Sequence, residues 1–275
     1  MKIIVSHDID HLNWSEHYFQ DLFILKLFLR STLMLLRGQI SIKTALSRCN
    51  IFADKRINRL NELTEFLRHQ EIRSTFFIAF SNGLNLSYST SKAIEIGEKL
   101  IDQNFLVGVH GIEFNHIEKI NEEKVKALPI LSKQSFAGIR MHYLRSTDKT
   151  KDYLSKTLYN YDSTEYCIKN PYLVRPNLWS FPISVMDTYV IERHNHNLDL
   201  AKRYTCQLLK KANDCQLKYF VINFHDLYFD DNAYSIYKNW FIWLIDHLKK
   251  EGFEFSDFEQ ALLDLNSNSN NNILC

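Results

Sequence analysis

An α/β fold built on a parallel sheet is predicted for this chain, and two observations carry the prediction. Short apolar, β-rich runs alternate with longer segments of helical period, and polar residues of metal-binding or acid–base type gather where the apolar runs end. Strands alternating with helices in this way mark βαβ units. Seven such runs in 275 residues suit either a barrel related to the (β/α)8 type or a doubly wound sheet.

The strands, in order, are KIIVS (2–6), STFFIAF (74–80), FLVGVH (105–110), FAGIR (136–140), NYDST (160–164), LWSFPISVM (178–186) and YFVINFH (219–225). Most are rich in the β-branched and aromatic residues that suit a pleated, buried surface. Helical period places helices at 55–70, 90–103, 117–131, 149–158, 199–214 and 234–250.

One domain accounts for residues 1–265, with 266–275, NSNSNNNILC, expected to form a disordered low-complexity tail. Apolar residues make up 45% of the chain, enough for a sizeable core. Lysine plus arginine number 33 against 32 aspartates and glutamates, a balance that argues against nucleic-acid binding, which needs a basic excess. Five cysteines without a CxxC spacing speak against a disulfide framework and a thiolate zinc site, and fit a reduced, cytoplasmic protein. The apolar start runs about four residues before Asp8, short of the roughly 7–15 that a secretion signal needs. No membrane span is expected, because Lys26 and Arg30 break the longest apolar stretch.

The polar strand ends hold the candidate chemistry, as active-site residues do at the C-terminal ends of barrel strands. Asp8 and Asp10 close the first strand, and residues two apart project to the same side. Neighbouring carboxylates cannot both ionise cheaply unless a cation or a base intervenes. A division of labour is therefore expected, with one binding a metal and the other acting as general base. In VGVHGIEFNH, His110 ends an apolar strand. Asp10, His110 and either His116 or Glu113 would give a site with an open position, as catalytic zinc requires. Arg140 in GIRMHYLR ends a buried strand and needs a carboxylate partner, for which Asp8 is the candidate. His142 and Tyr143 would then point toward the cleft. Asp187 in SVMDTYV ends the sixth run, and a carboxylate beside His225 in VINFHD would favour the protonated form of a general acid.

Taken in order, SHDID, STFF, VGVHG, GIRMHY, YDST, FPISVMD and VINFHD resemble the motif series of the polysaccharide deacetylase family, whose shared unit is the chitooligosaccharide deacetylase homology domain. The nearest resemblance is to the branch of surface-polysaccharide biosynthesis proteins, and it spans residues 1–262. It implies a distorted (β/α)7 barrel of the glycoside hydrolase/deacetylase type. It also implies a hydrolase of C–N bonds other than peptide bonds, which removes an acetyl or other small acyl group from an amino sugar or a surface-polysaccharide precursor, lipid- or nucleotide-linked. The implied cofactor is a divalent metal, zinc by preference. By resemblance Asp8 is the base, Arg140 holds it, and Asp10 and His110 bind the metal. Tyr143 lends its backbone N–H to an oxyanion site, and Asp187 tunes His225, the acid. The family's second histidine, four residues after the first, falls here on Phe114, so His116 is taken as the third ligand. The family's proline before the tyrosine is His142, which can itself approach the metal. Two other readings stand beside this one: a glycoside hydrolase whose carboxylates flank a glycosidic bond, and a non-catalytic carbohydrate-binding relative.

One segment, 21–50, exceeds what a simple barrel needs. Within DLFILKLFLRSTLMLLR (21–37), Lys26, Arg30 and Arg37 fall within about 40° of one another on a helix, with apolar residues over most of the circumference. Such a helix either packs on the barrel or a partner chain, or makes peripheral contact with a membrane, here the inner membrane surface.

Overall fold

The computed structural model describes residues 1–18, 22–49 and 56–271, with side chains up to residue 267. Ten strands are found among them: β1 (Lys2–Ile9), β2 (Thr75–Ile78), β3 (Leu106–Gly111), β4 (Gly138–Met141), β5 (Tyr161–Asp162), β6 (Tyr172–Arg175), β7 (Leu178–Ser180), β8 (Ile183–Met186), β9 (Tyr219–Asn223) and β10 (Glu254–Ser256). The helices are α1 (Phe23–Leu36), α2 (Ile42–Arg48), α3 (Leu60–His69), α4 (Thr90–Asp102), α5 (Ile117–Leu131), α6 (Asp148–Lys156), α7 (Asp187–Arg193), α8 (Leu198–Asp214), α9 (Ser235–Lys250) and α10 (Phe258–Asn271).

The sheet runs β6-β7-β5-β4-β3-β2-β1-β9-β8, with β10 paired to the start of β1. Every pair is parallel except β6 on β7. The segment that follows β5 reaches β8 through an isolated parallel bridge between Tyr166 and Ile183. The sheet therefore curls into a distorted (β/α) barrel whose wall is incomplete beside β8.

Alternation along the strands divides the core in two. In β1, Ile3, Val5 and Ile9 join the large apolar layer between sheet and helices, whereas Ile4 belongs to a smaller cluster with Phe77, Tyr161, Phe181, Val221 and Phe258. That smaller cluster fills the lower barrel and is closed by α10, whose Phe258, Ala261, Leu262 and Leu265 are buried there. Above it the same inward-facing positions turn polar, beginning with Ser6 and Asp8. The chain thus builds a dry floor and a polar upper chamber from one period-2 pattern.

The run 178–186, expected as one strand, is split into β7 and β8 at Phe181–Pro182, because proline has no N–H to give the ladder. The short β6, β10 and α7 were not anticipated, while α1 and α2 fall in the segment 21–50 expected to be helical. The helix expected at 55–70 is observed from Leu60, and residue 55 lies outside the described residues. Where 266–275 was expected to be a disordered tail, α10 continues to Asn271, and 272–275 lie outside the described residues.

Candidate active site

Arg140 is the hub of the upper chamber. Its side chain is fully buried, and its guanidinium carbon lies 4.2 Å from the centre of the Phe77 ring on the floor below. Nε donates to Ser163 O at 2.9 Å, and one terminal nitrogen donates to Asp8 Oδ1 at 2.8 Å and Asn223 Oδ1 at 2.7 Å. The other donates to Ser6 Oγ at 2.8 Å and Ser163 Oγ at 2.9 Å. All five donors of the planar fork are thereby used, the condition under which a buried guanidinium is tolerated. The expected pairing with Asp8 is present; Ser6, Ser163 and Asn223 were not foreseen. Ser6 and Asn223 sit two residues before Asp8 and His225, on the same inward face, so the period that placed the carboxylate also pointed to them.

Asp8 takes a second hydrogen bond from Asn223 Nδ2 at 2.8 Å, through Oδ2. Burial works against its charge, yet Arg140, aided by His110 and His225, holds it at about 2. On the far side His225 Nδ1 lies 3.0 Å from Asp187 Oδ1, and its backbone N–H donates to Asp187 Oδ2 at 2.6 Å. Burial disfavours the imidazolium, but Asp187, followed by Asp10 and Asp8, pushes it up to about 10. Its free edge, Nε2, is 3.9 Å from both Asp8 Oδ2 and Asp10 Oδ2. Asp187 is the first residue of α7, directly after β8, where a carboxylate also suits the positive helix end.

The candidate metal ligands resolve differently from the sequence expectation. The ligand atoms of Asp10, His110 and His142 lie within 4.8 Å of one another. His110 Nε2 is 3.2 Å from Asp10 Oδ1 and 2.9 Å from His142 Nδ1. His116 is not in this group. It stands just before the first turn of α5 without a side-chain capping bond, is 61% exposed at its side chain, and turns Nδ1 to Glu113 Oε1 at 3.1 Å. Glu113 is no substitute, since its Oε1 accepts the Phe114 and Asn115 amides at 3.0 and 2.7 Å within the loop. His142 takes the third place because β3 and β4 pair with His110 opposite Arg140, which sets residue 142 one pleat higher, over His110. Spacing within the loop after β3 could not reveal this.

The donor set fits a metal ion. A carbonyl only accepts, so His110 Nδ1, 3.0 Å from Arg140 O, and His142 Nε2, 3.2 Å from Leu84 O, carry the hydrogens. In the neutral rings the lone pairs of His110 Nε2 and His142 Nδ1 then converge with Asp10 Oδ1. That oxygen is buried and receives no well-aligned hydrogen bond. Three acceptors facing one point call for a cation. Two imidazoles and a carboxylate are a zinc-type ligand set.

A cavity of about 340 Å³ opens over these groups, and Met141, Leu144, Met186 and Tyr228 are among its walls. Tyr143, expected to offer its backbone N–H, lies on the rim in a turn after β4, where Tyr143 and Leu144 both have left-handed backbones (φ 56° and 53°). Non-glycine residues in that region are strained, and such strain concentrates at functional sites. His7 and His11, which flank the two aspartates, do not line this cavity. His7 stacks on Phe76 at 4.7 Å outside the barrel, and His11 packs on Phe23 at 4.2 Å.

Comparison with solved structures agrees with this architecture. A protein assigned as a polysaccharide deacetylase from Mycobacterium smegmatis superposes with a TM-score of 0.61 over 98% of this chain and 91% of its own, at 12% identity. The chain has the fold of the polysaccharide deacetylases. A second protein so assigned, from Pseudomonas aeruginosa PAO1, gives 0.58 over 95% and 88% at 11% identity. An allantoinase gives 0.57 over 95% and 88%, also at 11%. The sequence itself matches no protein-family model and no curated protein.

Proposed function

We propose that the protein is a metal-dependent carbohydrate deacetylase, which hydrolyses the acetyl C–N bond of an amino sugar in a surface-polysaccharide precursor. The observation that carries this reading is that three devices share one cavity: a clamped carboxylate (Asp8–Arg140), a charged imidazole (His225–Asp187) and a convergent acceptor triad (Asp10, His110, His142). The two proteins assigned as polysaccharide deacetylases that share the fold add support.

Asp10, His110 and His142 would hold the metal, with zinc the best match to their chemistry. When bound, it lowers the pKa of a coordinated water and polarises the acetyl carbonyl. Asp8, kept ionised and aimed by Arg140 and Asn223, takes the proton of the attacking water. The Tyr143 amide faces the oxyanion that develops. His225, charged through its contact with Asp187, delivers a proton from Nε2 to the departing amine. Acid–base steps of this kind contribute about a hundredfold or more each.

The glycoside hydrolase reading fits less well. It needs one protonated carboxylic acid beside the glycosidic oxygen, whereas Asp8 and Asp10 are both held below the usual carboxylate range despite burial. The non-catalytic reading rests on Phe114 standing where the family's second histidine falls, and the position of His142 beside Asp10 and His110 weighs against it. Acetate release from N-acetylglucosamine oligomers in the presence of zinc tests the proposal. Asp8→Asn and His225→Ala are expected to abolish release while leaving the circular dichroism spectrum unchanged, and release that survives Asp8→Asn defeats the assignment.

A further inference from the structure

The segment between β1 and α3 carries an unusual surface. In α1, Phe23, Ile24, Leu27, Ser31 and Met34 turn inward, and Phe23, Ile24 and Leu27 pack beside Trp14, Ile57 and Leu227. On the outward side Leu22, Leu25, Leu29, Leu33 and Leu36 form a stripe at helical spacing, each more than half exposed and Leu36 at 78%. The adjoining α2 adds Ile42 and Leu46, one turn apart and about two-thirds exposed. Seven large aliphatic side chains exposed on two adjoining helices mark an interaction site.

The charges that the segment itself carries are of one sign. Residues 22–49 contain Lys26, Arg30, Arg37, Lys43 and Arg48 and no carboxylate, in a chain whose net charge is only +1. Arg48 is spent inside, donating to Ala233 O at 2.9 Å, and Arg30 pairs with Glu192 at 2.5 Å. Lys26, Arg37 and Lys43 remain on the exposed surface beside the leucines. A self-pairing contact through this face would bring like charges together, whereas an anionic lipid surface would satisfy both the leucines and the cations. No helix among the described residues is long and apolar enough to cross a membrane, so the fitting geometry is one that lies in the interface.

We propose that the outer face of α1 and α2 docks on an anionic lipid bilayer and so places the cavity mouth at the membrane surface. The link is Arg30, which stands on α1 and also lines the cavity with Asp8, Asp10 and His225. On the deacetylase reading, on which this part alone rests, the sugar is then presented on a lipid carrier.

Sedimentation of the full chain with sucrose-loaded vesicles tests the docking without any assay of acetate release, so the two readings fail separately. The chain is expected to pellet with vesicles of equal parts phosphatidylcholine and phosphatidylglycerol, and much less with phosphatidylcholine alone. Leu25→Glu with Leu29→Glu, at exposed positions outside the cavity lining, should leave the protein in the supernatant with an unchanged circular dichroism spectrum. Lys26→Ala with Arg37→Ala should weaken binding about 25-fold, at about fivefold per cation. The proposal is overturned if the wild type stays in the supernatant with anionic vesicles, or if the leucine variant pellets equally well. It is also overturned if the wild type is a dimer that the leucine variant dissolves while neither binds vesicles, because the face would then belong to a second copy.

Discussion

His110 Nε2 and His142 Nδ1 stand 2.9 Å apart, while the opposite nitrogen of each ring faces a backbone carbonyl, that of Arg140 or of Leu84. Two imidazole lone pairs at that distance repel unless a cation, a proton or a metal ion, joins them. Burial opposes that proton, but Asp8 and Asp10 raise the His110 pKa. A metal held by Asp10, His110 and His142, ligands from three strand ends, would take the proton's place and leave a position open for water. His142→Ala and His110→Ala are expected to weaken zinc binding by more than the roughly 10–100-fold lost with an outer partner, read by calorimetry. His116→Ala should bind zinc as the wild type does, and an equal loss there would return the third-ligand role to the loop.

Removing the hub tests a different quantity. Arg140→Met leaves Asp8 buried without its partner, at an expected cost of about 3–5 kcal/mol in urea unfolding at neutral pH. The sign of the pH dependence follows from the depressed Asp8 pKa. The stability it contributes is present above the unfolded value of 3.8 and is lost as pH falls through about 2. Without Arg140 burial pushes the Asp8 pKa up, so the gap between wild type and Arg140→Met should narrow as pH falls through that window by about 2 kcal/mol or more, at 1.36 kcal/mol per unit. A gap that is constant with pH would show that Arg140 acts through Ser6, Ser163 and Asn223 and not through the Asp8 charge.

His225 gives the opposite sign. Its folded pKa is raised from 6.5 to about 10, so the stability it contributes is complete below 6.5 and drains away as pH rises through 10. Asp187 is the largest of the groups that raise it. In the metal-free protein, Asp187→Asn is expected to move the His225 imidazole titration, followed by NMR, down by about one unit or more, as for the loss of an opposite charge at hydrogen-bond distance. The alkaline limb of acetate release should move to lower pH with it. An unshifted titration would leave Asp8 and Asp10 as sufficient cause.

Most of this site was legible because strands with one polar end announce where their chains stop. Asp8, Asp10, His110, Arg140, Asp187 and His225 all stand at the ends of apolar runs, and the fold brings them to one chamber. What the sequence concealed is register. His142 meets His110 because β4 pairs with β3 at Arg140 and His110, a cross-strand fact that linear spacing does not encode. The split at Pro182 was visible in principle, since a residue without an N–H interrupts a ladder, but the apolar run on both sides masked it. The inserted helix was legible as a helix. Its orientation was not, because a segment apolar over most of its circumference does not declare which side faces the barrel.

The barrel floor makes a last prediction about how packing sustains the chemistry. A Cβ on Gly138 would lie 1.9 Å from Tyr161 Cζ, and Tyr161 cannot retreat. Its ring stacks on Phe258 at 4.6 Å and meets Phe181 at 6.0 Å and Phe77 at 6.4 Å edge-on. Gly138 opens β4 two residues before Arg140, so any shift that relieves the clash also displaces the hub. Gly138→Ala is expected to cost about 3 kcal/mol, at the upper end of overpacking penalties, and to lower acetate release as well. Tyr161→Ala removes the obstructing ring at the cost of a cavity of its own. Because the two changes act on one contact, the double variant should be more stable than the sum of the single losses implies, by about 1 kcal/mol or more. Additive losses in thermal unfolding would mean that the strain lies elsewhere in β4 and that the floor does not set the position of Arg140.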